Sequence, residues 1–153
     1  MFVIVCVGVV VFVGVWVGVF VDVLNDQNID PGKIKNAITN KTKAIMPVHL
    51  TGRICEMKKI LEISEKYKIP IIEDAAQSIG SKYFNKMAGS FGKIGCFSTH
   101  PLKNLNAAGD GGFFVTNDYR IYKKAQENKN HGNVDRNRVN KFAYLSRMDA
   151  IQA

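Results

Sequence analysis

Ile69-Pro70-Ile71-Ile72-Glu73-Asp74-Ala75-Ala76-Gln77 decides the fold. Its apolar run from Ile69 ends in an acid pair and then small residues, as a buried strand does when it reaches the rim of a sheet. The elements on either side are consistent with that reading. Upstream, Lys43 to Val48 is a second strand, followed through Thr51-Gly52 by a helix in which Met57, Ile60, Leu61, Ser64 and Lys68 stack on one face. Before that, Val19-Phe20-Val21-Asp22-Val23 is a strand, Asp30-Pro31 supplies an N-cap and a first helical residue, and Ile34, Ala37 and Ile38 follow at helical spacing. Downstream come a loop with Gly80, Gly89 and Gly92, strands at Ile94 to Ser98 and Gly112 to Thr116, and a helix capped by Asn117-Asp118 that runs to about Asn128. Strands alternating with helices imply an α/β domain with a mainly parallel sheet. Ligands of such sheets bind at the carboxyl ends of the strands, where Asp74, Ser98 and His49 fall.

The chain has 153 residues, 46% of them hydrophobic, enough for one domain with a real core. Lys+Arg 21 against Asp+Glu 13 gives +8, all of it on residues 22–153 because the preceding stretch carries no charged side chain. The lysines are interleaved with acids, as in Glu56-Met57-Lys58-Lys59 and Glu65-Lys66, and no stacking-aromatic motif accompanies them. A solvated basic surface is therefore expected, with no nucleic-acid partner. Cys6, Cys55 and Cys96 are odd in number and widely spaced, with no CxxC and no histidine at zinc-ligand intervals, so reduced thiols in a cytoplasmic protein and no metal are expected.

Residues 1–18 are a low-complexity segment, with Val at every odd position from Val3 and Gly8, Gly14 and Gly18 among the even ones. Three readings fit it: buried strands, favoured by the density of β-branched residues; a membrane helix, allowed by length and by Gly14-Val15-Trp16-Val17-Gly18; or a degenerate or mis-derived terminus. A secretory signal would need basic residues ahead of its apolar core, and none precede this one. The domain proper is expected over 19–153.

No GxGxxG follows a strand, and Gly89-Ser90-Phe91-Gly92-Lys93-Ile94 lacks the spacing and the hydroxyl residue of a phosphate-binding P-loop. Gly109-Asp110-Gly111-Gly112, just before an apolar strand, reads as a tight turn. An amine and a carboxylate stand out: Lys103, in the loop Ser98-Thr99-His100-Pro101-Leu102-Lys103-Asn104, and the strand-end acid pair Glu73-Asp74 upstream of it. Pyridoxal phosphate chemistry needs that pair, a lysine to hold the cofactor as an imine and a buried carboxylate to keep its ring nitrogen protonated. Singly, each has a plain structural explanation, with Glu73-Asp74 as strand-end charges and Ser98 as a turn residue.

Taken together, Ile71 to Gln77, Gly95-Cys96-Phe97-Ser98-Thr99-His100-Pro101-Leu102-Lys103-Asn104-Leu105, Pro47-Val48-His49-Leu50, Asn130-His131-Gly132 and Ser146-Arg147-Met148-Asp149 resemble the DegT/DnrJ/StrS family of sugar aminotransferases that use pyridoxal 5'-phosphate. The resemblance runs from about Val19 to Ala153. It implies the large domain of the fold type I class, three-layer α/β/α, here incomplete. It implies that Lys103 carries the imine and shuttles the proton, that Asp74 pairs with the pyridine nitrogen, that Gln77 bonds the ring hydroxyl, and that Ser98 bonds a phosphate oxygen. His49 and His100 would line the same rim. The implied reaction moves an amino group from glutamate to a keto sugar nucleotide in amino-sugar or cell-surface polysaccharide biosynthesis, in a homodimer, in the cytoplasm. A cyclitol ketone is equally compatible.

This chain departs from the family pattern at several places. Leu145 stands where the family carries an Asn before Ser146-Arg147, and the region before Val19 holds neither the Ser/Thr-Phe loop nor the Gly-Thr/Ser phosphate turn. The family's small C-terminal domain does not follow Gln152-Ala153, which reads as the interior of a helix. The 153 residues alone are therefore expected to be inactive. Two rival readings stay open: an inactive remnant or interaction protein that keeps the scaffold, and a membrane-anchored variant.

Overall fold

The computed structural model describes residues 2–6, 16–143, 145 and 146. In chain order the elements are β1 (Phe2–Cys6), β2 (Trp16–Phe20), α1 (Pro31–Ala37), β3 (Thr42–Met46), a 3-10 turn at Leu50–Gly52, α2 (Met57–Tyr67), β4 (Ile72–Asp74), β5 (Lys82–Tyr83), β6 (Lys86–Met87), β7 (Ile94–Ser98), β8 (Gly112–Val115), α3 (Tyr119–Asn128), β9 (Asn133–Asp135) and β10 (Arg138–Val139).

The sheet is mainly parallel. β1 pairs in parallel with both β2 and β3, and β4 pairs in parallel with β7. Parallel bridges from Ile45 to Ile71 and from Val48 to Asp74 join these two halves, and β8 then adds antiparallel to β7. Residues 2–6 and 16–20 are thus two strands with other chain between them, and among the described residues no helix is long and apolar enough to cross a membrane. The valine at position 15 and Gly14 lie outside the described residues.

Local chemistry accounts for most boundaries. Asp30 caps α1 by accepting from Gly32 N at 2.8 Å, with Pro31 opening the helix as its sequence position implied. The α2 helix stops at Tyr67, and Lys68, expected on its stacked face, instead takes a left-handed φ of 53° and ends it. The first strand expected over 19–23 ends at Phe20, after which Val21 enters the core and Val23 bridges Ile29 across a tight turn. Asp118 caps α3 by accepting from Arg120 N at 2.9 Å. The hairpin β5–β6 lies where the sequence suggested only a loop, and a second hairpin, β9–β10, follows α3.

The core lies on one face of the sheet, where α1 and α2 press Ile34, Met57, Ile60 and Ile63 against Ile45, Ile69 and Ile71. Full burial of one such side chain is worth roughly 2 kcal/mol, so this cluster is the main source of the fold's stability. Some basic residues on the surface meet nearby acids, for example Lys33 with Asp22, Arg53 with Asp26 and Arg138 with Asp135.

Candidate active site

Strand parity sorts the charged residues at the rim. Successive side chains of a strand point to opposite faces, and residues in register on parallel neighbours share a face. Glu73 pairs with Gly95 and Asp74 with Cys96. Asp74, Cys96 and Ser98 therefore share the face away from the helical core, while Glu73 points into the core side with Ile71.

Asp74 is half-buried, and its backbone is tied to β3's extension by Asp74 N to Pro47 O at 2.9 Å and His49 N to Asp74 O at 3.0 Å. Its Oδ1 accepts from Ala76 N at 3.0 Å, and among the described residues Oδ2 has no protein partner. Ser98, at the end of β7, pairs with Gly112 of β8, and its Oγ accepts from His100 N at 3.2 Å, so its hydrogen remains free to donate outward.

The antiparallel β8 places Lys103. A strand that runs back beside β7 must start at the end where β7 stops, so the connection 99–111 stands on the carboxyl rim of the sheet. Thr99 N to Gly111 O and Ala107 N to Thr99 O, each 2.8 Å, cinch the base of that loop, and Lys103 N donates to His100 O at 2.8 Å within it. Gly112 is required at its exit, because a Cβ there would lie 2.6 Å from Phe97 O. Gly109 to Gly112 accordingly serves as a turn. No hydrogen bond or ion pair joins Lys103 to Asp74 among the described residues.

Gln77 lies on the turn after Asp74, and its Oε1 accepts from Thr51 N at 2.7 Å. His100 is a brace of the lysine loop: its Nδ1 accepts from Leu102 N at 3.1 Å and its Nε2 faces Asp110 Oδ1 at 3.6 Å.

The structure corrects the placement of His49. Its ring is fully buried on the core side, away from the face of Asp74, with Nδ1 accepting from Cys55 N at 3.3 Å and Nε2 donating to Glu73 Oε2 at 3.1 Å. Glu73 is the residue that sequence reasoning undervalued. It is a fully buried carboxylate, not a charge facing water, and it also accepts from Gly89 N at 2.7 Å, Phe91 N at 2.7 Å and Gly92 N at 2.6 Å. Those bonds fold the loop Gly89 to Gly92 against β4 and β7, where the backbone of Gly89 passes so close to Gly95 that a Cβ on Gly95 would lie 2.3 Å from it. The glycines at 89, 92 and 95, downstream of the strand-end acid pair, were the available signal.

Cys96 lies between Asp74 and Ser98 on the site face. Burial, and then the carboxylate of Asp74, push its thiol above the ordinary range, so it is a neutral neighbour there. Leu145 is exposed and bridges Asn130, while Ser146 N donates to Lys129 O at 2.9 Å. Arg147 to Ala153, including the helix expected at Gln152-Ala153, lie outside the described residues. Among the described residues no group of acids, histidines and cysteines could hold a metal ion.

This geometry has counterparts. The model of the DegT/DnrJ/EryC1/StrS aminotransferase family matches residues 5–153. A UDP-N-acetyl-3-dehydro-alpha-D-glucosamine 3-aminotransferase of Acidithiobacillus ferrooxidans is 46% identical over 120 residues, covering 78% of this chain and 32% of its own. A protein of Geobacillus stearothermophilus described as a pleiotropic regulatory protein is 43% identical over 126 residues, covering 82% of this chain and 34% of its own. Among solved structures, DesV of S. venezuelae in complex with a ketimine intermediate superposes with a TM-score of 0.85 at 33% identity, over 90% of this chain and 37% of that one. NtdA of Bacillus subtilis with bound cofactor PMP gives 0.80 at 38% identity, over 90% and 32%. The chain spans about a third of the length of the curated relatives it matches. Its fold is that of the large domain of fold type I aminotransferases, and the chain belongs to the DegT/DnrJ/EryC1/StrS aminotransferase family.

Proposed function

We propose that the protein to which these residues belong is a pyridoxal-phosphate-dependent aminotransferase that moves an amino group from glutamate to a keto sugar nucleotide, working as a homodimer in the cytoplasm and serving amino-sugar or cell-surface polysaccharide biosynthesis. The observation that carries the reading is the shared rim. Asp74 and Ser98 end adjacent parallel strands on one face, and the antiparallel return of β8 lifts the Lys103 loop over the same edge. The relatives' names support the substrate class, since several are nucleotide-sugar transaminases, among them a dTDP-3-amino-3,6-dideoxy-alpha-D-galactopyranose transaminase of Aneurinibacillus thermoaerophilus.

The donor set fits the cofactor. Asp74 keeps one oxygen free of protein partners for a protonated ring nitrogen, Ser98 keeps its hydrogen for a phosphate oxygen, Gln77 keeps its amide nitrogen for the ring oxygen, and Lys103 supplies the amine. When bound, pyridoxal phosphate supplies an electron sink for the carbon that loses its proton. The chain's own residues do the rest. Asp74 would stabilise a positive ring nitrogen, on which the sink depends, and the Lys103 amine would take the proton from one carbon and return it to another. The loop bonds at Thr99 and His100 hold the Lys103 backbone at the rim, which limits the rearrangement that proton transfer would need.

The test uses the full-length protein. Borohydride reduction followed by peptide mapping should fix the cofactor to Lys103, and Lys103→Ala should lose both the label and glutamate-dependent turnover of a keto sugar nucleotide. A label on Lys93, or one unchanged in Lys103→Ala, removes the assignment.

A further inference from the structure

We infer that Asn28 and Thr51 are positioning residues for Gln77: a buried amide on one loop sets the turn Leu50–Gly52 so that Thr51 N–H captures the Gln77 oxygen and leaves its amide nitrogen as the group offered to the cofactor. The inference rests on the aminotransferase reading of the site and adds to it two residues outside the set that meets the cofactor.

Thr51 is the point of departure. Its φ is 53°, in the left-handed region where a β-branched side chain is rare. Such a residue persists only where its surroundings over-determine it, and outliers of this kind gather at functional sites. The surroundings here are explicit. Asn28, buried at 1% exposure, accepts from Leu50 N through Oδ1 at 3.1 Å and donates through Nδ2 to Arg53 O at 3.1 Å, so one side chain grips the turn at both ends. Arg53 Nε meets Asp26 Oδ2 at 3.1 Å beside it, and Ser81 Oγ donates to Gly52 O at 2.7 Å from the opposite side. Besides Leu50 N, which Asn28 takes, the turn so held directs Thr51 N outward to Gln77 Oε1 at 2.7 Å.

The consequence is chemical. An amide side chain that swings freely can present either its oxygen or its nitrogen, and the oxygen would face an anionic ring oxygen with the wrong polarity. With Oε1 occupied, Gln77 presents a donor, and the choice is made before any ligand arrives. Asn28 thus acts on the cofactor through backbone and then through Gln77, without touching it.

A double-mutant cycle tests this in the full-length protein. Gln77→Ala should raise the pyridoxal phosphate dissociation constant roughly threefold to tenfold, the worth of one hydrogen bond. Asn28→Ala should raise it about threefold when Gln77 is present and by less than about 1.5-fold in the Gln77→Ala background, because the effect is transmitted through that side chain. Hydrogen exchange on the apoprotein reads the same coupling without cofactor: the Thr51 amide should lose protection in Asn28→Ala and in Gln77→Ala. If Asn28→Ala does not fold, Gln77→Glu replaces it. The carboxylate should keep Thr51 protected yet bind the cofactor more weakly than Gln77→Ala, since an acceptor then faces an acceptor. Equal effects of Asn28→Ala in both backgrounds, or Thr51 protection unchanged in Gln77→Ala, overturn the inference. If no lysine takes a borohydride-fixed label, the aminotransferase reading fails with it, whereas a label on Lys103 with an additive cycle removes this inference alone.

Discussion

Glu73 and Asp74 are neighbours in the chain and end in different surroundings because a strand turns consecutive side chains to opposite faces. Asp74 reaches the half-buried rim with one oxygen free, and Asp74→Asn keeps its shape while removing its charge. That variant should still bind the cofactor, but its single-turnover rate with glutamate should fall by about a hundredfold or more, because an amide cannot stabilise a positive ring nitrogen. A variant as fast as the parent would mean that another group supplies the counter-charge. Glu73 instead carries four hydrogen bonds in a fully buried site, two on each oxygen. Glu73→Gln puts an NH2 group against backbone N–H donors whichever way it is turned. We expect about 3 kcal/mol of lost stability, read as a lower urea midpoint, because buried donors are left facing a donor. An unchanged midpoint would mean that the Gly89 to Gly92 loop holds itself.

The elements that the sequence made legible are those whose ends carry their own chemistry. Asp30-Pro31 and Asp118 are capping signals, and both head helices. The strand at Ile94 to Ser98 stands where its apolar run lies, and the carboxyl-end positions of Asp74 and Ser98 followed from counting strands. The β5–β6 hairpin was hidden for a physical reason. Its two-residue turn, Phe84-Asn85, has φ of 45° and 62°, a geometry normally announced by Asn-Gly or Asp-Gly, and a phenylalanine gives no such signal. The role of Glu73 was hidden because three of its four partners are backbone N–H groups 16 to 19 residues along the chain, for which the glycines of that loop are a faint sign. The hairpin makes its own prediction. Phe84 is 84% exposed, so its ring gains little from burial beyond an edge contact with Tyr83 at 4.7 Å, while its backbone sits in the left-handed region. Phe84→Gly should therefore stabilise the domain by about 1 kcal/mol, since relief of the left-handed penalty outweighs the lost ring contact and the added chain entropy. Thermal melting decides it, and a lower melting temperature would show that the ring's contact with Tyr83 stabilises the turn by more than the left-handed backbone costs.

Across the whole molecule, the apolar core and the back of the candidate site meet at Cys55. Its thiol is buried in the same cluster as Ile60 and Ile71 and donates to Val48 O at 3.2 Å, and its backbone N–H fixes the ring of His49 and so bears on Glu73. Burial pushes the Cys55 thiol from 9.0 up to about 12, and the carboxylates of Asp26 and Glu73 push in the same direction. A group whose pKa is higher in the folded state favours folding while both states are protonated. Its contribution is therefore complete below pH 9 and is lost as pH climbs towards 12, because the unfolded chain ionises first. Near pH 10.5 the loss from this one group should reach about 2 kcal/mol. Cys55→Ala has no thiol to ionise, so its stability should fall less between pH 7.5 and 10.5 than that of the parent, even though it starts lower for want of the sulfur's packing. Every other ionisable group is common to both proteins and cancels in the comparison. Paired urea denaturations at the two pH values measure the difference, and parallel losses in parent and variant would mean that water reaches Cys55 and that the core does not close over the back of the site.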